Sequence, residues 1–152
     1  MPTTQHSTLT GAELHEPKGV AAATNNQVYV SDGSASGDWT ALYDTYTVDF
    51  EDISTAQVVY IPILHSGTVT KVSSVIDSSI TVADATITPK NAAGASMEAI
   101  TVAYSGSAAG DVDTVTVATN NAVTADSFMS IETDGGSSTV TRAHVVIKVE
   151  RT

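Results

Sequence analysis

From residue 40 to the C-terminus, apolar and β-branched residues recur in short runs that turn-forming residues separate. Gly, Asn, Asp and Ser occupy the breaks, and these residues mark turns between strands. Apolar and polar positions alternate within residues 68–75 and 145–150, as expected where one face of a strand is buried. The pattern predicts eight strands, at residues 45–50, 57–64, 68–76, 86–90, 99–104, 114–118, 127–132 and 143–150.

Eight short strands at near-regular spacing are typical of two packed antiparallel sheets. We therefore predict an all-β fold, a jelly-roll-like antiparallel β-sandwich over residues 40–152. A one-residue slip would move the apolar set of a strand to solvent, so the buried faces fix the register. Residues 52–56 and 121–125 are the only candidates for helix, and each is a turn or two at most.

Residues 1–39 contain few large apolar side chains. Such a segment buries too little surface to offset its own ordering entropy. We interpret it as an extended N-terminal arm that orders against a partner, and we place the domain boundary after residue 39. Within the arm, residues 27–30 predict a short strand, and residues 31–38 predict a flexible turn that leads to the only tryptophan, Trp39.

The arm also carries the residues that we expect to bind a partner. A proline and a glycine fix an extended, turn-ended path, which suits contact along a surface or addition of a strand to a sheet edge. The expected contact residues are Leu14, His15, Pro17, Gly19, Tyr29 and Trp39. One alternative stays open: residues 28–30 pair at an edge of the sandwich, and Trp39 covers its end.

Charge and hydropathy exclude several classes of partner. The formal net charge is −11, from 17 acidic residues against six Lys and Arg, so we expect no nucleic-acid binding. The longest apolar run, residues 58–64, is far shorter than the roughly 20 residues that span a bilayer, so we expect no membrane partner. The N-terminus resembles no signal peptide, which predicts synthesis in a cytoplasm. Cysteine is absent, which removes disulfides and thiolate chemistry.

Candidate catalytic motifs are weak. The four histidines are far apart in the sequence, and Pro17 follows the His15-Glu16 pair, so the helix of an HExxH zinc site cannot continue. His65 precedes a turn signal and is interpreted as a turn residue. Residues 106–110 form a small-residue loop without the Gly-x-Ser-x-Gly pattern. We expect no enzymatic activity and no cofactor.

Two further side-chain sets have a structural explanation and a functional one. The aspartates of the turn regions could hold calcium, but hydrogen bonds to the backbone of their turns explain them without a metal, and we favour that explanation. They are Asp84, Asp111, Asp113, Asp126 and Asp134. Aromatic residues make up only 5% of the chain, and we expect the core to require most of them, which argues against a sugar-binding platform.

Two sets of residues resemble virion proteins of tailed bacteriophages. The first comprises residues 9–21, 27–33 and 37–39, with the run from His15 to Gly19 as its most specific part, and it is similar to the N-terminal segment of capsid decoration and head-fibre proteins. The second is similar to the β-sandwich domain of the same family. It comprises residues 60–62, 67–72, 83–88, 106–113 and 134–137.

The resemblance implies a structural protein on the surface of a phage capsid, commonly a trimer, without enzymatic activity. Its implied partners are the major capsid protein and two further copies of the chain. If the protein is the base of a fibre, a fibre protein is a further partner. The resemblance fits both a cement protein on the capsid and the base of a fibre. A carbohydrate-binding jelly roll on the virion surface is the rival interpretation; an aromatic cluster with converging carboxamides on a concave face favours it, whereas flat polar loops favour decoration.

Overall fold

The computed structural model describes residues 23–33 and 37–152, which belong to two units, Met1–Leu42 and Tyr43–Thr152. In the first unit, β1 (Gln27–Ser31) pairs antiparallel with β2 (Gly37–Ala41). The strand predicted at residues 27–30 is therefore present, and it pairs within a hairpin of its own unit. The first residues of β2 had been predicted as the end of a flexible turn.

The second unit is all-β, and each of the eight predicted strands is present with its ends shifted by a few residues. Neither segment predicted as a possible helical turn is helical: a two-residue strand occupies part of residues 121–125, and residues 52–55 form a turn that leads into the next strand. The strands are β3 (Tyr43–Phe50), β4 (Ala56–Ile63), β5 (Gly67–Ile76), β6 (Ala85–Lys90), β7 (Ile100–Val102), β8 (Val112–Thr116), β9 (Ala122–Val123), β10 (Ser127–Asp134) and β11 (Ala143–Arg151).

Two antiparallel sheets build this unit. One sheet has the strand order β3-β11-β5-β8, with the short β9 also paired to β5, and the other has the order β4-β10-β6-β7. Strands that follow one another in the chain mostly lie in opposite sheets, and the last strand returns to lie beside the first. This order is that of a jelly roll, which confirms the predicted fold class.

A single apolar core fills the space between the sheets. Val145, Ile147 and Val149 of β11 face it from one sheet, and Met129 and Ile131 of β10 face it from the other. Each side chain of this size contributes roughly 1.5–3 kcal/mol when fully buried. The alternation predicted for residues 145–150 is therefore confirmed in β11.

Strict alternation fails in β5, where the structure contains a β-bulge. Val69 pairs with Val149 and Lys71 pairs with Lys148, so Thr70 is the extra residue. Val69 and Val72 are both fully buried although they are three positions apart. An inserted residue in one strand reverses the face of the residues beyond it, so the unbroken alternation predicted for residues 68–75 is wrong.

Candidate binding surfaces

Of the six residues predicted to bind a partner, Tyr29 and Trp39 lie in the described part of the chain, and the structure brings them together. They are directly opposite in the β1–β2 ladder, with ring centroids 5.4 Å apart and an interplanar angle of 64°. On the other face of β1, Val28 and Val30 are 45% and 50% exposed. The other four, Leu14, His15, Pro17 and Gly19, lie outside the described residues.

The aromatic residues contradict the expectation that the core requires most of them. Phe50 is the one aromatic side chain that is fully buried among the described residues, and Tyr46 is partly buried against the core. The core consists mainly of Ile and Val, whose branched side chains pack well on pleated sheets. Four aromatic residues of the sandwich are exposed: Tyr43, Tyr60, Tyr104 and Phe128.

Two of these aromatic residues meet on the outer surface of the sheet β4-β10-β6-β7. Tyr60 and Phe128 are 67% and 42% exposed, and their rings make an edge-to-face contact with centroids 5.5 Å apart. Their outward neighbours include Val58 and Pro62 of β4, the edge strand of this sheet. We call this surface the aromatic face and define it by Val58, Tyr60, Pro62, Lys90, Phe128, Ser130 and Glu132.

A depression of about 310 Å³ lies on the aromatic face, bordered by the loop of residues 91–94. In the sheet register Ser130 lies between Tyr60 on one side and Lys90 on the other. Lys90 Nζ is 2.6 Å from Glu132 Oε2, and both side chains are about three-tenths exposed. The depression therefore combines two exposed rings with an adjacent cation and anion.

The carboxamide nearest to this depression is used by its own loop. The Oδ1 atom of Asn91 accepts hydrogen bonds from the backbone N–H groups of Ala93 and Ala95, each at 3.1 Å. Its Nδ2 atom donates to the carbonyl oxygen of Asn120 at 3.0 Å. The structure thus supplies an aromatic pair on this face, while the side chain of Asn91 serves to hold the loop.

The outer surface of the other sheet is polar, and we call it the threonine face. Lys148 lies on this face, and its Nζ atom is 2.8 Å from Glu150 Oε1 and 4.9 Å from the ring centroid of Tyr43. Ser73 and Thr114 hydroxyls lie 3.0 Å apart. The face is defined by Tyr43, Thr45, Thr47, Asp49, Ser73, Thr114, Thr116, His144, Val146, Lys148 and Glu150.

Charged side chains cluster where the threonine face meets the neighbouring turns. His144 Nδ1 is 2.6 Å from Asp49 Oδ1, and its Nε2 is 3.3 Å from Asp77 Oδ1. The hydrogen bond with Asp49 raises the pKa of His144 above its usual value, and the charge of Asp77 acts in the same direction. Elsewhere, the hydrogen bond from Arg151 lowers the pKa of Asp44. Asp44 also contacts His65, which lies in a turn as predicted.

Three of the five turn aspartates accept backbone hydrogen bonds, and two of them, Asp111 and Asp134, do so within their own turn as predicted. Asp134 Oδ1 accepts from the N–H groups of Thr86 and Gly136, both at 2.9 Å. Asp84 Oδ1 accepts from the N–H of Tyr104 at 2.9 Å, and Asp111 Oδ2 accepts from that of Ala108 at 2.7 Å. Within residues 23–33 and 37–152, no three His, Asp or Glu side chains are grouped so as to hold a metal ion.

Ser107, in the small-residue loop, has a structural role. Its hydroxyl oxygen accepts a hydrogen bond from the N–H of Ile80 at 2.9 Å and lies 3.1 Å from the carbonyl oxygen of Tyr104. These contacts tie the loop of residues 106–110 to the segment that precedes β6. The arrangement braces two loops against each other.

Sequence reasoning missed the aromatic face. Residues 58–64 form a continuous apolar run, and such a run does not indicate which alternate residues point inward. One signal was available, because a proline within a strand indicates an edge strand or a bulge. Pro62 thus marked β4 as an edge strand, but the contact of Tyr60 with Phe128 depends on strand pairing between distant parts of the chain.

Comparisons with known proteins leave the family open. No protein-family model matches the sequence, and no curated protein is significantly similar to it. A chain of the cyanophage Pam1 capsid asymmetric unit is similar in structure, with 16% identity, 100% coverage of both chains and a TM-score of 0.47. A chain from the Bacillus endospore appendages described as a novel family of disulfide-linked pili has 18% identity and a TM-score of 0.34, covering 74% of this chain and 90% of that one. Neither likeness is close enough to assign a function.

The described part of the chain contains no helix that is long and apolar enough to cross a membrane.

Proposed function

We propose that this protein is a non-enzymatic structural protein of a bacteriophage virion, a decoration protein that binds the outer surface of the capsid and stabilises it as a homotrimer. Its partners are then the major capsid protein and two further copies of the same chain. The proposal starts from the sequence resemblance of both units to phage decoration and head-fibre proteins. The fold is compatible with this function but does not select it, since jelly rolls serve many functions.

The observation that carries the proposal is the character of the first unit. Its described residues form a two-stranded hairpin, and none of them is fully buried. A two-stranded hairpin is at best marginally stable by itself in water. A hairpin that holds Tyr29 against Trp39 and leaves Val28 and Val30 half exposed therefore has apolar surface to offer to a partner.

The sandwich supports the same interpretation by being self-sufficient. Its core is continuous, and its turn carboxylates are engaged by backbone N–H groups, so folding does not require the arm. Three identical arms on a closed trimer would bind a threefold position of a shell together, and weak single contacts would then combine into tight attachment. The net charge of −11 keeps free copies apart before assembly.

The direct test is to mix the purified full-length protein with undecorated capsids and to locate added density by electron microscopy. We expect one trimeric feature at each threefold or quasi-threefold position of the shell. Density confined to the tail or to fibre attachment points would instead support the fibre-base alternative. Absence of any added density would contradict the proposal.

Variants of the hairpin and of the sandwich separate attachment from folding. Truncation of Trp39 to Ala should weaken capsid binding by roughly 2 kcal/mol per contact, as for a typical aromatic anchor. Tyr104→Ala is the matched control, because Tyr104 is an exposed aromatic residue of the sandwich and should leave capsid pelleting unchanged. Deletion of residues 1–38 should leave a folded sandwich by circular dichroism that no longer pellets with capsids. An unfolded or fully bound truncated chain would contradict the role of the arm.

A further inference from the structure

We propose that the depression on the aromatic face binds the ring of a saccharide. The inference goes beyond the proposed function and does not depend on it, because the site lies wholly within the sandwich. It rests on the two exposed rings, on the adjacent charged pair, and on the size of the depression.

The depression has two chemically different sides. Tyr60 and Phe128 border it with rings that meet edge to face at an angle of 73°. Glu132, on the same strand as Phe128, and Lys90, on the neighbouring β6, border its other side, and Ser130 lies between Phe128 and Glu132 on β10. Its volume of about 310 Å³ is at the lower end of the range of roughly 300–1,000 Å³ for small-molecule sites.

A saccharide ring has the same two-sided chemistry. Its C–H groups form an apolar patch that packs on an aromatic ring, and its hydroxyl groups need both donors and acceptors. Lys90 Nζ offers donors and Glu132 offers acceptors, and their separation of 2.6 Å places a donor and an acceptor side by side. Neighbouring hydroxyl groups of one ring can therefore be bound by the pair while Tyr60 contacts the C–H face.

The observations favour a saccharide over a protein partner on this face. The centres of protein interfaces are depleted in Lys, Glu and Ser. A flat partner surface that covers these residues excludes water and leaves some of their polar groups without a hydrogen-bond partner. The depression contains one of each, in Lys90, Glu132 and Ser130. Lys90 and Glu132 pair with each other but keep further donors and acceptors, which the hydroxyl groups of a small ligand can use and an apolar protein surface cannot.

A second tyrosine provides a matched comparison within the same molecule. Tyr43 also lies on an outer sheet face beside a Lys–Glu pair, and it is 57% exposed. The ammonium group of Lys148 lies over its ring at 4.9 Å, so that ring already has a partner. Tyr60 lacks such a cation in the described structure, meets Phe128 edge to face and is 67% exposed, which leaves ring surface open to a ligand.

The test uses the full-length protein and four probes: glucose, galactose, mannose and N-acetylglucosamine. Saturation-transfer NMR detects binding, and titration of amide chemical shifts gives the dissociation constant and locates the site. We expect at least one probe to bind with a dissociation constant of about 1 mM, since one ring in an open depression makes few contacts. Shift changes should be concentrated in β4, β10 and residues 90–94.

Variants then assign the binding to the aromatic face. Tyr60→Ala should weaken binding about tenfold or more, and Glu132→Gln should weaken it less, because one acceptor oxygen remains. Tyr43→Ala, the matched control, should bind as the unmodified protein does. All of these side chains are at least partly exposed, so melting temperatures are compared to verify folding.

Three outcomes would overturn the proposal. The first is that none of the four probes binds, and the second is that Tyr60→Ala and Tyr43→Ala have equal effects. The third is that Tyr60→Ala leaves saccharide binding unchanged but reduces the mass of the particle in sedimentation, which would make this face a contact between copies. The capsid-binding test is separate, because loss of saccharide binding leaves attachment through the arm unaffected.

Discussion

The two sheets of the sandwich share one core, yet their outer faces differ in chemistry. The threonine face carries short hydroxyl side chains and ion pairs, and the ammonium group of Lys148 lies over the ring of its exposed tyrosine, Tyr43. The aromatic face leaves Tyr60 and Phe128 exposed beside a depression. Inward positions must be apolar to hold the fold together, whereas outward positions are free of that requirement. The residues on the outer faces, which differ between the two sheets, are therefore the place to look for a binding function.

The largest effect should come from the shared core and should be the same for both sheets. Ile131→Ala in β10 and Ile147→Ala in β11 each remove a fully buried side chain and should lower the free energy of unfolding by about 2–5 kcal/mol. Val146→Ala on the threonine face is the control and should change it by no more than about 0.5 kcal/mol. Urea denaturation measures all three. A loss of less than about 1 kcal/mol for either isoleucine variant would contradict the place of that side chain in the shared core.

The next largest effect on the free energy of unfolding should come from the β-bulge in β5. Among the described strand pairs, a bulge occurs only in the sheet of the threonine face. Deleting Thr70 would turn Val69 from the core to the surface and should cost roughly 1.5–3 kcal/mol of unfolding free energy.

The control for the bulge is Thr70→Ala, which retains the extra residue. The hydroxyl of Thr70 is buried and has no hydrogen-bond partner in the described structure, so its removal should change the free energy of unfolding by less than about 1 kcal/mol. Urea denaturation of both variants tests the prediction. Equal stability of the deletion and the unmodified protein would mean that Val69 is not held inward by the bulge.

The tyrosine contacts of the two faces should differ in their response to salt. A double-mutant cycle for Tyr60 and Phe128 should give a coupling of about 0.5–1.5 kcal/mol that salt leaves unchanged. The equivalent cycle for Tyr43 and Lys148 should give about 0.5–1 kcal/mol at low salt and less at high salt, because one partner is charged. If both couplings fall with salt, the contrast between the faces fails.

The smallest effect should be the pH dependence of the cluster around His144 on the threonine face. Its pKa in the folded protein is raised above the usual 6.5, chiefly by the hydrogen bond with Asp49. The stabilisation by protonated His144 is therefore fully present below the pKa of the unfolded chain and is lost as the pH rises through the raised folded pKa. Melting temperatures of His144→Asn should fall below those of the unmodified protein in mildly acid buffer and approach them in alkaline buffer.

Asp49→Asn supplies the control for this dependence, because it removes the main cause of the raised pKa. In that background the pH dependence of the His144→Asn effect should become smaller. A difference in melting temperature that is independent of pH would show that His144 contributes by packing alone.

The functional surfaces were only partly accessible from the sequence. Tyr29 and Trp39 were both predicted as contact residues, and the hairpin register explains how they come together. Tyr60, Lys90, Phe128 and Glu132 were not identified, because they lie on three different strands and meet only through the ladders of β10.

The sequence by itself determined the approximate positions of eight of the nine strands of the sandwich and the buried face of β11, because turn residues and the two-residue period of a strand are local properties. Tertiary structure decided which strands share a sheet, that Thr70 is an inserted residue, and that Asp44 meets Arg151, 107 positions away. It also decided that Ile and Val rather than aromatic rings fill the core. These features depend on contacts between distant segments, and a local pattern carries no information about which segments meet.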